Sequence, residues 1–361
     1  MMPVCPSNQE YLQRFGAAAR AARVPLSGSL ELTARCNLRC VHCYLGGAVR
    51  RRRASNELAT ARWLDILDQV AAAGCLDLLL TGGEPLLRRD FNIIYRHAKR
   101  LGMLVTVFTN GTRLSERVVR LFRDLPPRLV EVSLYGATAA TTERITGSAT
   151  AAARARRGVE RLRAAGVQLA FKTILMRENQ SELGALEAYA RELGVPFRLD
   201  AAINPRLDGG REPLAHRVDP EAAVELELAD PARRRQWAEF QDKYAALPED
   251  RRLYTCGAGI TGFHVDADGT LRPCLMVARP AADLHRAEFQ QIWRDIIPRL
   301  HDKMAGNSFP CSRCEARLVC GSCPAFFELE TGAETIPADY VCRLGRLRAE
   351  RLHQYQTRRG D

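Results

Sequence analysis

The chain has 361 residues, 53 Lys plus Arg against 42 Asp plus Glu, a formal net charge of +11 and 12 cysteines. An apolar fraction of 46% with 26% charged residues excludes a disordered chain, and a chain this long buries a core without staples, so the cysteines are not a disulfide scaffold. Met1–Leu26 lacks the apolar segment of a secretory signal and no apolar run approaches the ~18 residues of a membrane span, so a reducing, cytoplasmic compartment is expected. Cysteines in such a compartment point to metal or redox chemistry.

From Leu30 to Leu199 short apolar runs alternate with helical spacings. Strands are predicted at Leu30–Thr33, Leu76–Leu80, Leu104–Phe108, Leu129–Leu134, Val167–Leu175 and Phe197–Asp200. Helices are predicted at Asn56–Ala73, Phe91–Leu101, Ser115–Arg123, Ala151–Ala165 and Glu182–Leu193. This alternation implies βα units with a parallel sheet, and the apolar runs suggest strands covered on both faces. Six such units are too few for an eight-fold barrel, so the fold expected is α/β, a partial (β/α)6 TIM-like barrel. Pro205–Arg217 reads as a loop, Asp219–Leu228 and Pro231–Leu247 as helices. From Cys256 onward cysteines cluster, Val265–Thr270 reads as a hairpin turn and Cys342–Tyr355 as a closing helix. The division expected is an N-terminal extension (1–29), the barrel (30–202), a helical linker (203–255), a small cysteine-rich domain (256–345) and a terminal helix and tail (346–361).

Of the basic residues only Lys99, Lys172, Lys243 and Lys303 are lysines; the rest are arginine. Compositional bias accounts for such a count as readily as attraction to an acidic partner does. The densest run, Arg50–Arg53, has no interleaved aromatics to stack on bases, so nucleic acid is not an expected partner.

Two motifs lie at the C-terminal ends of the first two strands, where ligands sit in parallel barrels. Cys36, Cys40 and Cys43, spaced C-x3-C-x2-C, offer three thiolates on one loop. A tetrahedral zinc would need a fourth ligand, and His42 is badly placed beside Cys43, so soft-ligand logic favours an iron–sulfur cube with one open iron. Thr81-Gly82-Gly83-Glu84-Pro85 is the second motif; its glycines allow close approach, and its N–H groups with the Glu84 carboxylate are expected to hold the ammonium and backbone groups of an amino acid. A third feature is the array Cys256, Cys274, Cys311-x2-Cys314-x5-Cys320-x2-Cys323 and Cys342, which read alone is also compatible with two zinc sites.

Together these motifs resemble the radical S-adenosylmethionine (SAM) enzymes over residues 30–200, and the C-terminal array resembles their SPASM extension. The resemblance implies a 4Fe–4S cluster on Cys36, Cys40 and Cys43 whose free iron is chelated by SAM. It assigns Gly82, Gly83 and Glu84 to the methionine amino group, Tyr44 to the adenine neighbourhood, and Asn110 and Ser133 to further SAM contacts, although turn capping also explains the last two. It implies two auxiliary 4Fe–4S clusters, one on Cys311, Cys314, Cys320 and Cys342, the other on Cys256, Cys274 and Cys323, and so three clusters in all. Gly321 and Ser322 leave only two residues between Cys320 and Cys323, one fewer than the family has. The second auxiliary cluster lacks a fourth cysteine, with His264, Asp266, Asp268 or Cys5 as candidates; a strand position for His264 and a turn for the two aspartates are the competing readings. Cys75, beside an apolar strand, reads as a buried inert thiol.

The activity implied is reductive cleavage of SAM to a 5′-deoxyadenosyl radical that abstracts hydrogen from a substrate, most simply a ribosomally made precursor peptide that is crosslinked or otherwise modified. Partners implied are a reductase, flavodoxin or ferredoxin electron donor and, since the short N-terminal extension holds no peptide-recognition domain, a separate leader-binding protein. Tetrapyrrole modification and sulfatase maturation share the same motifs; a zinc-binding regulatory module is the alternative of a different class. No residue is assigned as a catalytic acid or base.

Overall fold

The computed structural model describes residues 7–245, 251–321 and 323–360; Cys5 lies outside them. Six strands, β1 (Ser27–Glu31), β2 (Asp77–Thr81), β3 (Leu104–Thr109), β4 (Leu129–Ser133), β5 (Leu169–Ile174) and β6 (Phe197–Asp200), pair in parallel in chain order. Helices Thr60–Ala72, Phe91–Arg100, Glu116–Asp124, Ala151–Ala164 and Leu183–Leu193 connect them. This is the expected partial barrel. The C-terminal hairpin also joins the same sheet: β7 (Gly262–Val265) lies parallel to β1, with Ser29 opposite His264, and β8 (Thr270–Arg272) and β9 (Ala282–Asp283) follow antiparallel. The sheet order is β6-β5-β4-β3-β2-β1-β7-β8-β9, unclosed between β6 and β9.

The strands are not apolar on both faces as their sequence runs suggested. Successive side chains alternate across a strand, and one set (Leu30, Leu78, Leu80, Val105, Val107, Val130, Val132 and Phe171) packs with Trp63, Ile66, Ile94, Phe122 and Leu162 of the surrounding helices. The other set, including Ser29, Glu31, Phe108, Glu131, Lys172 and Arg198, faces the barrel interior. Runs such as Asp77-Leu78-Leu79-Leu80-Thr81 hid that alternation, because Leu79 is apolar yet only half-buried.

Helix Thr60–Ala72 starts later than its apolar spacing predicts. Tertiary ties hold the preceding residues extended: Leu58 N donates to Ala267 O (3.0 Å), and the Glu57 carboxylate accepts from Thr33 Oγ1 (2.6 Å) and Ala34 N (3.1 Å). Helix Gly47–Ser55 was not predicted, since it has no apolar stripe; Arg50 and Arg53 hold it by reaching inward instead. Helix Asn8–Ala21 begins with a reciprocal Ser7–Glu10 capping box.

The linker helices pack rather than hang free. Helix Pro220–Ala229, capped by Asp219, lies against the last helix, Asp339–Gly360, around Val224, Leu228, Leu344 and Leu352. Arg348 Nε donates to Glu227 Oε2 (2.6 Å), and Arg217 grips Glu330 through both terminal nitrogens (2.8 and 2.6 Å).

Candidate functional site

Cys36, Cys40 and Cys43 lie on the loop leaving β1, all half-buried and free. Leu38 N donates to Cys36 Sγ (3.4 Å) and Arg50 Nη2 to Cys43 Sγ (3.2 Å), while Asn110 Nδ2 stands 3.8 Å from Cys36 Sγ. Burial pushes the Cys36 and Cys40 thiols up, and the thiols raise one another through proximity. As bare thiols they are poor anions; a soft cation between them reverses that, and the N–H donors already point at sulfur. The donor set fits an iron–sulfur cluster.

The strand end of β2 builds the floor under this loop. Gly82 has φ +146, and a Cβ there would come within 2.4 Å of Thr33 O; one on Gly83 would come equally close to Arg35 O. The glycines therefore let the segment leading to Cys36 lie directly on the Gly-Gly backbone. Their expected use is corrected in one respect. Gly83 N donates to Thr33 O (2.7 Å) and Glu84 N to Arg35 O (2.9 Å), so these N–H groups build the loop. An ammonium donates only, so carbonyl oxygens here are the groups suited to it.

Glu84 is fully buried. Its oxygens accept from Thr109 Oγ1 (2.8 Å), Asn110 N (2.7 Å) and Leu86 N (3.2 Å), so the carboxylate clamps the ends of β2 and β3 together. Burial outweighs these donors and lifts its pKa to about 7. Asn110 caps its own turn, accepting from Thr112 N (2.9 Å), while its amide faces Cys36 and Asn37, so capping and proximity to the loop coexist. Ser133 lines a cavity of about 270 Å³ with Leu38, Asn110, Tyr135, Ala155 and Tyr189. Tyr44 is half-buried; its main-chain carbonyl O accepts from Leu207 N (2.8 Å), and burial and the Glu31 carboxylate keep its phenol protonated. His42 packs edge-on against Tyr135 (4.5 Å between centroids), and burial lowers its pKa to about 3.

The C-terminal cysteines gather in two groups. Cys311 feels the charges of Cys342, Cys320 and Cys314, and Cys342 those of Cys320 and Cys314. Cys323 feels Cys274 and Cys256. Gly345 makes the first group possible: a Cβ there would lie 2.1 Å from Cys320 Cβ. Among the described residues, only Glu31, His264 and Asp266 bring three Cys, His, Asp or Glu ligand atoms within 4.8 Å of one another. Thiolates on one tetrahedral zinc stand about 3.8 Å apart, from Zn–S bonds of about 2.3 Å. No three cysteine sulfurs among the described residues approach one another that closely.

His264 and Asp266 do not join the cysteines. His264 is in β7 with Nδ1 2.7 Å from Ser29 Oγ, and Asp266, read as a turn residue, is fully buried. Arg53 bridges Glu31 Oε2 and Asp266 Oδ2, and Arg272 Nε also donates to Asp266 Oδ2 (2.7 Å). Arg53 and Arg272 thus converge on the charged Asp266, just after β7, and Arg53 also links it to Glu31 at the end of β1. Burial lifts Glu31 to about 8; it would raise Asp266 too, but His264, Arg272 and Arg53 hold that residue at about 2. Asp268 accepts from Thr270 Oγ1 (2.9 Å) and faces Arg52. Cys75 is buried and its thiol is pushed up to about 12, as an inert cysteine requires.

Sequence reasoning missed the arginines at this site and the cationic wall opposite. Lys172 and Arg198 flank Phe108 (6.0 and 5.4 Å to its centroid), and Arg198 pairs with Glu131 at 2.6 Å. The signal for the first was Glu31 between Leu30 and Leu32, an acid in an apolar strand that demands a cation.

The model of the radical SAM superfamily matches residues 30–190. The AdoMet-dependent heme synthase of Methanosarcina barkeri is 30% identical over 84% of this chain and 92% of its own length. This chain belongs to the radical SAM superfamily. The family makes it an enzyme that uses SAM, and implies a 4Fe–4S cluster. A PqqA peptide cyclase of Streptomyces rochei is 31% identical, covering 88% of this chain and 90% of that protein. The crystal structure of Streptococcus suis SuiB bound to precursor peptide SuiA superposes with a TM-score of 0.70 at 17% identity, over 95% of this chain and 82% of that one. AdoMet-bound anSMEcpe gives 0.70 at 14%, over 92% and 96%. The last two speak for the fold. No helix among the described residues is long and apolar enough to cross a membrane.

Proposed function

We propose that this radical SAM enzyme modifies a ribosomally made precursor peptide, forming a crosslink or a related bond. The observation that supports the reading most is the side opening of the barrel: β6 is an unpaired end of the sheet, and the interior-facing Arg198 is 52% exposed there, so a segment of a long chain can enter without its ends being enclosed. The likeness to a peptide cyclase over 88% of this chain agrees.

In this reading Cys36, Cys40 and Cys43 hold the SAM-binding cluster, which supplies one electron to split SAM into methionine and a 5′-deoxyadenosyl radical that takes hydrogen from the peptide. Gly82, Gly83 and Glu84 shape the methionine end, with Tyr44, Asn110 and Ser133 beside the rest of SAM. Cys311, Cys314, Cys320 and Cys342 hold one auxiliary cluster, and Cys256, Cys274 and Cys323 the other, within a SPASM extension at 256–345 that follows the barrel at 30–202 in sequence and shares its sheet through β7. The electron comes from a flavodoxin, ferredoxin or reductase, and a separate small protein presents the leader.

A second reading rests on Lys172 and Arg198 beside Phe108: a flat ring with two cations suits a carboxylate-bearing tetrapyrrole, and the heme synthase likeness points the same way. Anaerobic reconstitution followed by mass spectrometry separates the two. A mass change in a peptide encoded beside this gene, with 5′-deoxyadenosine formed, supports the first; turnover of a tetrapyrrole with no peptide change supports the second. Absence of 5′-deoxyadenosine under strong reductant refutes both.

A further inference from the structure

We propose that the exposed arginines around helix Gly47–Ser55 form the docking face for a small acidic one-electron donor protein, directly over the Cys36–Cys43 loop. The proposal rests on the reading of those cysteines as cluster ligands. The 25 residues from 32 to 56 contain six arginines and no aspartate or glutamate, the flanking acids being Glu31 and Glu57. The structure divides the six by direction. Arg53 is buried on Glu31 and Asp266, and Arg50 reaches the loop, donating to Cys43 Sγ (3.2 Å) and to Leu38 O (3.4 Å). Arg35, Arg39, Arg51 and Arg52 are exposed. Arg35 Nη2 lies on Ala54 O (3.2 Å) at the end of the helix, and Arg39 immediately follows the carbonyl that Arg50 grips, so the exposed side chains ring one short surface.

The acids that touch this ring do not neutralise it. Glu57 is largely buried and held by Thr33 and Ala34, and Asp268 stands 3.7 Å from Arg52 with little exposure of its own. No carboxylate among the described residues lies within 4.0 Å of Arg39 or Arg51, and what sets this stretch apart is that its six arginines have no acid between Glu31 and Glu57. Bare like charge on a surface is self-repulsive unless a partner covers it. Arg50, next to the exposed Arg51 and Arg52, contacts Cys43 Sγ directly, and Cys36 and Cys43 are themselves only half-buried. With a cluster held by these thiolates, the donor's flavin or iron–sulfur centre would lose the one electron that the cluster would gain and that cleavage of the SAM sulfur–carbon bond would consume. Complementary charge raises the encounter rate and fixes orientation more than it deepens affinity, so the effect falls with salt.

The test uses the full-length reconstituted enzyme and follows 5′-deoxyadenosine with two reductants, dithionite and reduced bacterial flavodoxin. Arg39→Glu/Arg51→Glu is compared with Arg163→Glu/Arg191→Glu, an equal charge change in the last turns of two helices at the opposite end of the barrel. The expected result is a loss of at least tenfold in flavodoxin-driven rate for the first variant at low ionic strength, a much smaller loss for the second, and unchanged dithionite-driven rates for both. Equal losses in the two variants would mean that net charge alone steers the donor, and overturn the proposal. So would an unchanged flavodoxin rate accompanied by weakened binding of an acidic leader peptide. If wild-type enzyme with dithionite produces no 5′-deoxyadenosine, the underlying reading of the cysteines fails and takes the proposal with it.

Discussion

Replacing Glu31 by Gln probes the buried tie between β1 and β7. Glu31 is completely enclosed, with Arg53 on Oε2 and its other oxygen unpartnered. Its pKa in the folded chain is lifted to about 8 from an ordinary 4.5, chiefly by burial, with Arg53 pulling the other way. As pH rises past the ordinary value the unfolded chain releases this proton, while the folded chain keeps it until about pH 8. Folded stability therefore declines across that window, by about 1.4 kcal/mol per pH unit and about 5 kcal/mol in the limit. Gln cannot ionise but still offers Arg53 an acceptor. The stability difference between Glu31→Gln and wild type is thus near zero at pH 4.5 and several kcal/mol in favour of the variant at pH 8. Glu84, lifted to about 7, contributes a decline of the same sign to both proteins, so the difference between them is the informative quantity. Urea midpoints of the reconstituted protein at pH 5, 6.5 and 8 measure it. A difference that stays flat within about 0.5 kcal/mol, or a variant less stable at pH 8, refutes the assignment of Glu31 as a buried acid with a raised pKa.

Exchange of Cys36, Cys40 and Cys43 for Ala should abolish SAM cleavage and lower iron from about 12 to about 8 per chain; loss of all iron would show that the cysteine groups are not independent. Arg50→Met removes the cationic donor on Cys43 Sγ and should shift the cluster's reduction potential negative in an anaerobic redox titration followed by electron paramagnetic resonance. Glu84→Gln retains one acceptor oxygen for three donors, so a stability loss of about 1–3 kcal/mol is expected in denaturant titration. Gly345→Ala drives a methyl into Cys320 and should cost about four irons with the barrel cluster's spectrum intact.

The barrel was legible because its βα units carry local signatures: short apolar runs for the strands, helical spacing between them, and Gly-Gly at the end of β2. The thiols were legible because ligand spacing along a loop is local too. What escaped were long-range matters. Nothing near Gly262–Val265 says that it pairs with β1, since that register is set by partners far away in sequence, Ser29 with His264 and Arg53 with Asp266. Helix Gly47–Ser55 escaped for the same reason: its stability comes from two arginines that find their acceptors only in the folded protein. The N–H groups of the Gly-Gly-Glu stretch were expected to face an amino-acid ligand, but those of Gly83 and Glu84 donate to Thr33 O and Arg35 O, because only the structure shows the cysteine loop lying on them.

The parallel register of β1 with β7 also constrains the order in which the chain can assemble. Ser29 waits for His264, 235 residues downstream, so during synthesis one side of β1 stays bare until nearly three-quarters of the polypeptide has emerged. Such distant pairing folds slowly and exposes an unpaired strand in the meantime. A nascent barrel released early would present that row of backbone groups to other chains, so expression cut short before β7 should give aggregates rather than a free-standing half.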